Sequence, residues 1–373
     1  MKYFFFIFTS LFLLVNCYVF YRIWQALPNN AQVRMLYITL YSAVCLSFLL
    51  AMLGRNVLPV GLLSCLYAIG TTWLIVMIYY LLFFLISDIV LLLNHFLHFI
   101  PTHYPSYFHP IRVGICSIVI FILLIFGYYR FNHPVVVERE LQINKKAGNK
   151  KSLQVVLLSD IHLGLLIGKE KLRRYVDQVN DLNPDVILIA GDLIDNSVRV
   201  LNDQHMETEL LRLKAPTGIY FSPGNHEYIS GIQESMTFLQ KTNMTILIDQ
   251  SITVDESFVV IGRDDRFNPN RASLDNLMVD VDASLPIILV DHQPFQLDEA
   301  EKNGIDLFVS GHTHEGQFWP GNLIVKKIYE LGYGYKQKGA THVCVTSGLG
   351  LWGPVFRIGT QSEIVLLQIK FND

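Results

Sequence analysis

Residues 153–164, LQVVLLSDIHLG, set a short apolar run directly before an Asp-x-His pair. A run of this kind suits a strand buried on both faces, and the polar pair falls where that strand gives way to a loop. The same arrangement recurs in DVILIAGD (185–192), GIYFSPGN (218–225), IILVDHQ (287–293) and DLFVSGHTH (306–314). Each run delivers candidate metal ligands to the carboxyl end of a strand, where open α/β sheets place their sites. The candidates are Asp160, His162, Asp192, Asn225, His292, His312 and His314. A single Asp-x-His is weak evidence, but five strand-end blocks in one chain point to a metal centre. Carboxylate, imidazole and one amide oxygen, with no thiolate, suit manganese, iron or zinc. Seven ligands exceed one tetrahedral ion and serve a pair about 3.5–4 Å apart if one carboxylate bridges.

With the surrounding text NPDVILIAGDLID, LKAPTGIYFSPGNHEYISG, DLFVSGHTHEGQFWP and SGLGLWGPVFRIG, these blocks resemble the calcineurin-like metallophosphoesterases. The likeness runs from about Leu153 to Ile369 and is to a bacterial phosphohydrolase branch with membrane-anchored members. It implies two divalent metal ions, with Asp192 as the bridging carboxylate. Asp160, His162 and His314 would complete the first ion; Asn225, His292 and His312 would complete the second. It also implies that His226 is the general acid or leaving-group stabiliser and that Asp195 orients it. The implied reaction is hydrolysis of a phosphate ester or pyrophosphate by metal-bound hydroxide, with no covalent intermediate. Two departures from the family pattern stand out. Serine/threonine phosphatases of the superfamily carry a phosphate-gripping arginine where this chain has Asn196, which argues against a protein phosphatase. Arg263 and Arg357 are then the candidate substrate-binding arginines, each equally readable as a packing residue. Glu315 stands where this branch more often has glycine and sets a negative charge beside two ligands.

Composition divides the chain. Residues 1–130 hold six Lys/Arg and one acid, Asp88, leaving 23 basic and 31 acidic residues in the remainder. Four apolar stretches, about 3–24, 35–53, 62–93 and 111–129, predict a four-helix transmembrane region over 1–130. The third stretch is longer than a bilayer requires, which sets Asp88 toward an interface. Residues 131–152, where an alternating segment precedes the basic turn NKKAGNKKS, predict a hairpin-like connection. Residues 153–373 alternate strand-like and helix-like segments, predicting a two-sheet α/β sandwich flanked by helices.

Arg130, Arg139, Lys145, Lys146, Lys150 and Lys151 follow the last span and predict a cytoplasmic catalytic domain on a multi-pass membrane protein. Four of five cysteines lie in apolar spans, so no disulfide framework is visible. The second part carries a net charge of −8 and no basic stripe, which excludes nucleic acid as an expected partner. The anchor predicts a lipid-linked phosphate as substrate, with Leu165, Leu166, Ile167, Phe318, Trp319, Leu349, Leu351 and Trp352 as possible acyl contacts. A tethered phosphodiesterase of soluble nucleotides or sugar phosphates is the alternative, and a non-catalytic membrane sensor is a more distant one.

Overall fold

A computed structural model describes residues 2–55, 57–99 and 107–372. The chain forms two compact units, Met1–Phe126 and Gly127–Asp373.

The first unit is helical. Its elements are α1 (Lys2–Trp24), α2 (Ala31–Gly54), α3 (Val60–Leu97) and the greater part of α4 (Phe108–Asn132). Three of them, α2, α3 and α4, are long and apolar enough to cross a membrane, while the apolar segment of α1, Thr9–Trp24, is shorter. Large apolar side chains such as Leu53 and Phe96 face outward, as lipid-facing surfaces do. Buried polar groups find partners inside the unit. Asn16 accepts from Trp73 Nε1 at 2.9 Å and donates to the Phe12 carbonyl at 2.8 Å. Asp88 pairs with Arg22, accepts from the Tyr18 hydroxyl at 2.6 Å and lies 3.5 Å from Arg112. Arg22 lies near the end of α1, Arg112 near the start of α4 and Asp88 late in the 38-residue α3. That common level is where a helix of about 57 Å outruns a hydrocarbon core of about 30 Å.

The second unit contains two six-stranded sheets. The first sheet uses β1 (Val135–Ile143), β2 (Ser152–Leu158), β3 (Val186–Ala190), β4 (Gly218–Ser222), β5 (Thr245–Ile246) and, from the far end of the chain, β12 (Glu363–Phe371). The second uses β6 (Gln250–Val254), β7 (Phe258–Gly262), β8 (Ile287–Val290), β9 (Leu307–Ser310), β10 (Gly334–Lys338) and β11 (Thr341–Val345). Their orders are β1-β12-β2-β3-β4-β5 and β10-β11-β9-β8-β7-β6. The central strands β2, β3 and β4 run parallel, as do β7, β8 and β9.

Alternation explains the continuous apolar runs. Val155, Leu157, Val186 and Leu188 of the first sheet share a core with Phe258, Val260, Ile288 and Val290 of the second. The intervening residues of the second sheet, such as Val259, Ile261, Ile287 and Leu289, pack in an outer cluster with Leu274, Leu297 and Ala300. A strand covered on both faces has no polar side to show. Helix α5 (Lys169–Asp181) follows the first ligand loop.

The connection over 131–152 is not a hairpin. β1 and β2 do not pair; β12 lies between them, parallel to β1 and antiparallel to β2. The basic turn is present, closed by an Ala147–Lys150 bridge with Gly148 at φ +54°. It carries the chain past the place of β12 and not back along β1. Local pattern showed the turn, but the edge that captures β1 belongs to residues 363–371.

Candidate functional site

The ligand candidates lie on loops that leave β2, β3, β4, β8 and β9. Asp160, His162, Asp192, His312 and His314 all have positive φ, between 50° and 69°. Residues with a Cβ rarely adopt this region outside turns, and those held there by the surrounding structure cluster at active sites and ligand clamps. Close backbone packing enforces the turns: a Cβ on Gly191, φ +73°, would sit 2.7 Å from both Gly224 Cα and His292 Nδ1.

Two groups of ligand atoms result, Asp160 with His162 and His314, and Asp192 with His292 and His312. In the first, His314 Nε2 is 3.3 Å from Asp160 Oδ1 and 3.2 Å from His162 Nε2. In the second, His292 Nε2 is 3.1 Å from Asp192 Oδ2 and 3.2 Å from His312 Nδ1. Asp192 Oδ2 is also 3.8 Å from His162 Nε2, so one carboxylate oxygen faces both groups.

Supporting hydrogen bonds decide which atoms remain free. Asp160 Oδ2 accepts from Ser159 Oγ at 2.7 Å and from the His312 backbone N–H at 2.9 Å, leaving Oδ1 unpartnered. Asp192 Oδ1 accepts from the His226 N–H at 2.8 Å, which turns Oδ2 inward. His292 Nδ1 donates to the Ala190 carbonyl at 2.7 Å, so Nε2 is the ring atom turned toward Asp192. A second bond of this kind commonly fixes a ligating imidazole. Asn225 Oδ1 is buried with no hydrogen-bond partner.

Electrostatics point the same way. Burial works against charge on Asp160 and Asp192, but the surrounding imidazoles hold both below the ordinary carboxylate range. Burial and the neighbouring His292 lower His312 to about 4, and burial lowers His314 well below its ordinary value, so both are neutral at pH 7. Burial opposes charge on His292, but Asp192 in turn raises it well above its ordinary value, holding a proton that a cation in its place would displace. Ionised carboxylates converging with imidazoles that lose their protons to a metal fit a pair of divalent cations. These Asp and His clusters are consistent with a dimetal site.

His226 and Asp195 border the first group, 3.3 Å apart between Nδ1 and Oδ1, with His162 in the same cluster. Burial opposes protonation of His226, but the charges of Asp192 and Asp195 outweigh it and raise the imidazole to about 9. Asn196 donates to Asp195 Oδ2 at 2.8 Å, so at this position an amide braces the acid.

Neither candidate phosphate-binding arginine reaches this centre with a free guanidinium. Arg263 is buried against Glu299 at 3.0 Å and Asp291 at 3.7 Å, and it donates to the Ala272 carbonyl. Arg357 is fully buried and donates to the carbonyls of His314, Ser347, Gly348 and Gly350, at 2.7 to 3.0 Å. It ties the loop bearing His314 to the segment 347–350 and is a structural clasp.

Glu227 was not singled out from the sequence. It is fully buried and accepts from the N–H groups of Asp192, Ile194 and Gly224 at 3.0, 3.0 and 2.7 Å. It thereby locks two ligand loops together. Its signal was a lone acid closing the GNHE block. Glu315 is half-buried, and burial raises its carboxyl, as does nearby Glu363. Of the apolar candidates, Ile167, Leu349 and Leu351 are core residues, whereas Trp319 and Trp352 are exposed. The Trp352 ring lies 6.0 Å from that of His226.

Comparison with known proteins follows the same residues. A model of the calcineurin-like phosphoesterases matches residues 153–316. An uncharacterised metallophosphoesterase of Helicobacter pylori is 33% identical, over 73% of this chain and 73% of its own length. A transmembrane protein with metallophosphoesterase domain from Danio rerio is 34% identical, over 64% of this chain and 57% of its own. Among solved structures, the NAD nucleotidase of Haemophilus influenzae overlaps at a TM-score of 0.35 and 14% identity, covering 58% of this chain and 44% of that one.

Proposed function

The chain belongs to the calcineurin-like phosphoesterase family, and from that premise we propose that it is a membrane-anchored dimetal phosphohydrolase acting on a lipid-linked phosphate ester or pyrophosphate. The observation that carries the reading is the convergence of Asp160 Oδ1, the inward Asp192 Oδ2 and two imidazole pairs, His162 with His314 and His292 with His312, on one buried spot. Asp160, His162, Asp192, Asn225, His292, His312 and His314 would hold two divalent ions, manganese, iron or zinc, which supply a positive field and lower the pKa of bound water toward about 7. Asp192 is the carboxylate this reading shares between the ions. His226, steadied by Asp195, passes a proton to the leaving oxygen. Glu227 and Arg357 hold the ligand loops at their spacing.

Four spans, with α1 counted among them, and the basic stretch after α4 favour a catalytic domain on the cytoplasmic side. The exposed Trp352 beside His226, with Trp319, supports a substrate that carries apolar groups. The burial of Ile167, Leu349 and Leu351 removes three acyl contacts and favours the second reading, a tethered phosphodiesterase of soluble nucleotides or sugar phosphates. Mass spectrometry of lipid and soluble extracts incubated with full-length protein and Mn²⁺, against His226→Ala, separates the two. Loss of a lipid species with matched release of a phosphorylated headgroup supports the first. Loss of soluble phosphate esters alone sinks it.

A further inference from the structure

Away from the metal centre, the second unit holds a cleft of about 590 Å³ whose two walls differ in chemistry. Tyr128, Phe131 and Val355 form an apolar wall, while Lys169, Lys171 and Arg174 line the cleft from the first turns of α5. None of the candidate ligands of the metal centre lines it.

The basic side chains lack counter-charges. Among the described residues Lys169, Lys171 and Arg174 make no ion pair; Lys169 Nζ donates to the His205 carbonyl at 3.2 Å. Lys171 is 8% exposed, yet its ammonium meets only neutral groups: Asn132 Oδ1 at 2.8 Å, the Phe131 carbonyl at 3.5 Å and the face of the Phe131 ring at 3.2 Å. The one carboxylate in the lining, Glu170, is 3.3 Å from Arg173. A buried cation without an anion is costly, and burial, with Arg174 beside it, lowers Lys171 to about 7. The N-terminus of α5 opens on the same cleft behind Gly168; Gln204 Oε1, from the lining, accepts from the Lys169 N–H at 2.9 Å, so the helix contributes through its dipole and its basic side chains. Its dipole adds positive potential. The Phe131 and Asn132 contacts come from the last turn of α4, a helix long and apolar enough to cross a membrane.

We propose that this cleft is a second anion site, distinct from the metal centre, which takes a phosphate group between Lys169, Lys171, Arg174 and the first turn of α5. The phosphate belongs to a lipid headgroup whose apolar part lies along Tyr128, Phe131 and Val355, or to a soluble phosphate that uses the polar wall alone. Occupancy supplies the missing counter-charge to Lys171 and braces the end of α4 against α5.

The test uses full-length protein and reads binding, so it stands apart from any turnover at the metal centre. In one arm, protein in phosphatidylcholine nanodiscs doped with phosphatidylglycerol is examined by native mass spectrometry for retained anionic lipid. In the other, inorganic phosphate is titrated and followed by ³¹P line width, the share bound at the metal centre being common to all variants. Lys171→Met/Arg174→Gln is expected to weaken binding at least about tenfold in one arm. Loss in the lipid arm supports a headgroup site, and loss in the phosphate arm supports a soluble one. Undiminished binding in both arms overturns the proposal. If the double variant fails to fold, Arg174→Gln alone, at an exposed residue, decides by the same readouts.

Discussion

Asn16 in the helical unit and Asn225 in the sheet domain are both amides whose oxygens are withdrawn from water, and they are treated differently. Asn16 shares its oxygen with Trp73 and Tyr41 and gives its amino group to a carbonyl of its own helix. Asn225 Oδ1 makes no hydrogen bond, nor do Asp160 Oδ1, His162 Nδ1 or His314 Nδ1, while Asp195 Oδ1 and His226 Nδ1 face each other at 3.3 Å. The helical unit has unpartnered atoms too, on Thr9, Arg34, Arg22, Arg112 and Asp88; the last three belong to groups of opposite charge that answer one another, and the Arg34 guanidinium lies over the Trp24 ring. At the strand ends of the sheet domain, carboxylate, amide and imidazole atoms converge with few hydrogen bonds to close them, and the positive charge there is that of His226 and His292, held by Asp192. A polar cluster that completes itself serves packing; one that is left incomplete and rigid is built for something that arrives from outside.

The largest expected effect that tests this contrast is at the shared carboxylate. Asp192→Ala should lower kcat/KM for a phosphodiester by at least about a thousandfold and drop metal content, measured by inductively coupled plasma mass spectrometry, below two ions per chain. Full metal content in that variant would mean the incomplete cluster is not the ligand set. His226→Ala is expected to cost about a hundredfold to ten-thousandfold in kcat with metal content unchanged, which separates proton transfer from ligation. Arg357→Met should act on stability, since it orphans four carbonyls: a loss of about 3 kcal/mol, or roughly 6–12 °C in Tm. Should Tm hold while KM for phosphate rises, Arg357 is a substrate contact after all. The smallest effect is reserved for the helical unit, where Asn16→Leu is expected to cost about 1 kcal/mol in detergent-mediated unfolding and leave kcat untouched. A drop in kcat there would show that the two units are not independent.

How far the sequence could be read follows from where each interaction closes. The ligand loops were legible because a buried strand and the residue at its end lie side by side in the chain. Helix α5 was legible for the same reason, its apolar face repeating within Lys169–Asp181. Arg357 stayed open between anion grip and packing residue in the sequence, because only the folded chain shows four carbonyls converging on it. Glu227 escaped notice because its partners are backbone N–H groups, which no residue type announces. The hairpin expected over 131–152 failed because β12, more than two hundred residues away, offers the edge that β1 uses. The short helix Gly321–Ile328 buries none of its residues, so the core gives no mark of it in the chain.

The insertion of β12 between β1 and β2 also bears on how the protein is made. Val135 pairs with Glu363 and Ile143 with Phe371, so the strand that follows the last apolar helix waits for one synthesised after every ligand-bearing loop. Until then β1 and β2 both present open edges, and contacts so distant in sequence form slowly. A nascent chain already committed to its apolar helices therefore carries an unsealed sheet for most of its translation. Damage to residues 363–371 should appear first as aggregation during biogenesis, before any loss of activity in the protein that does mature.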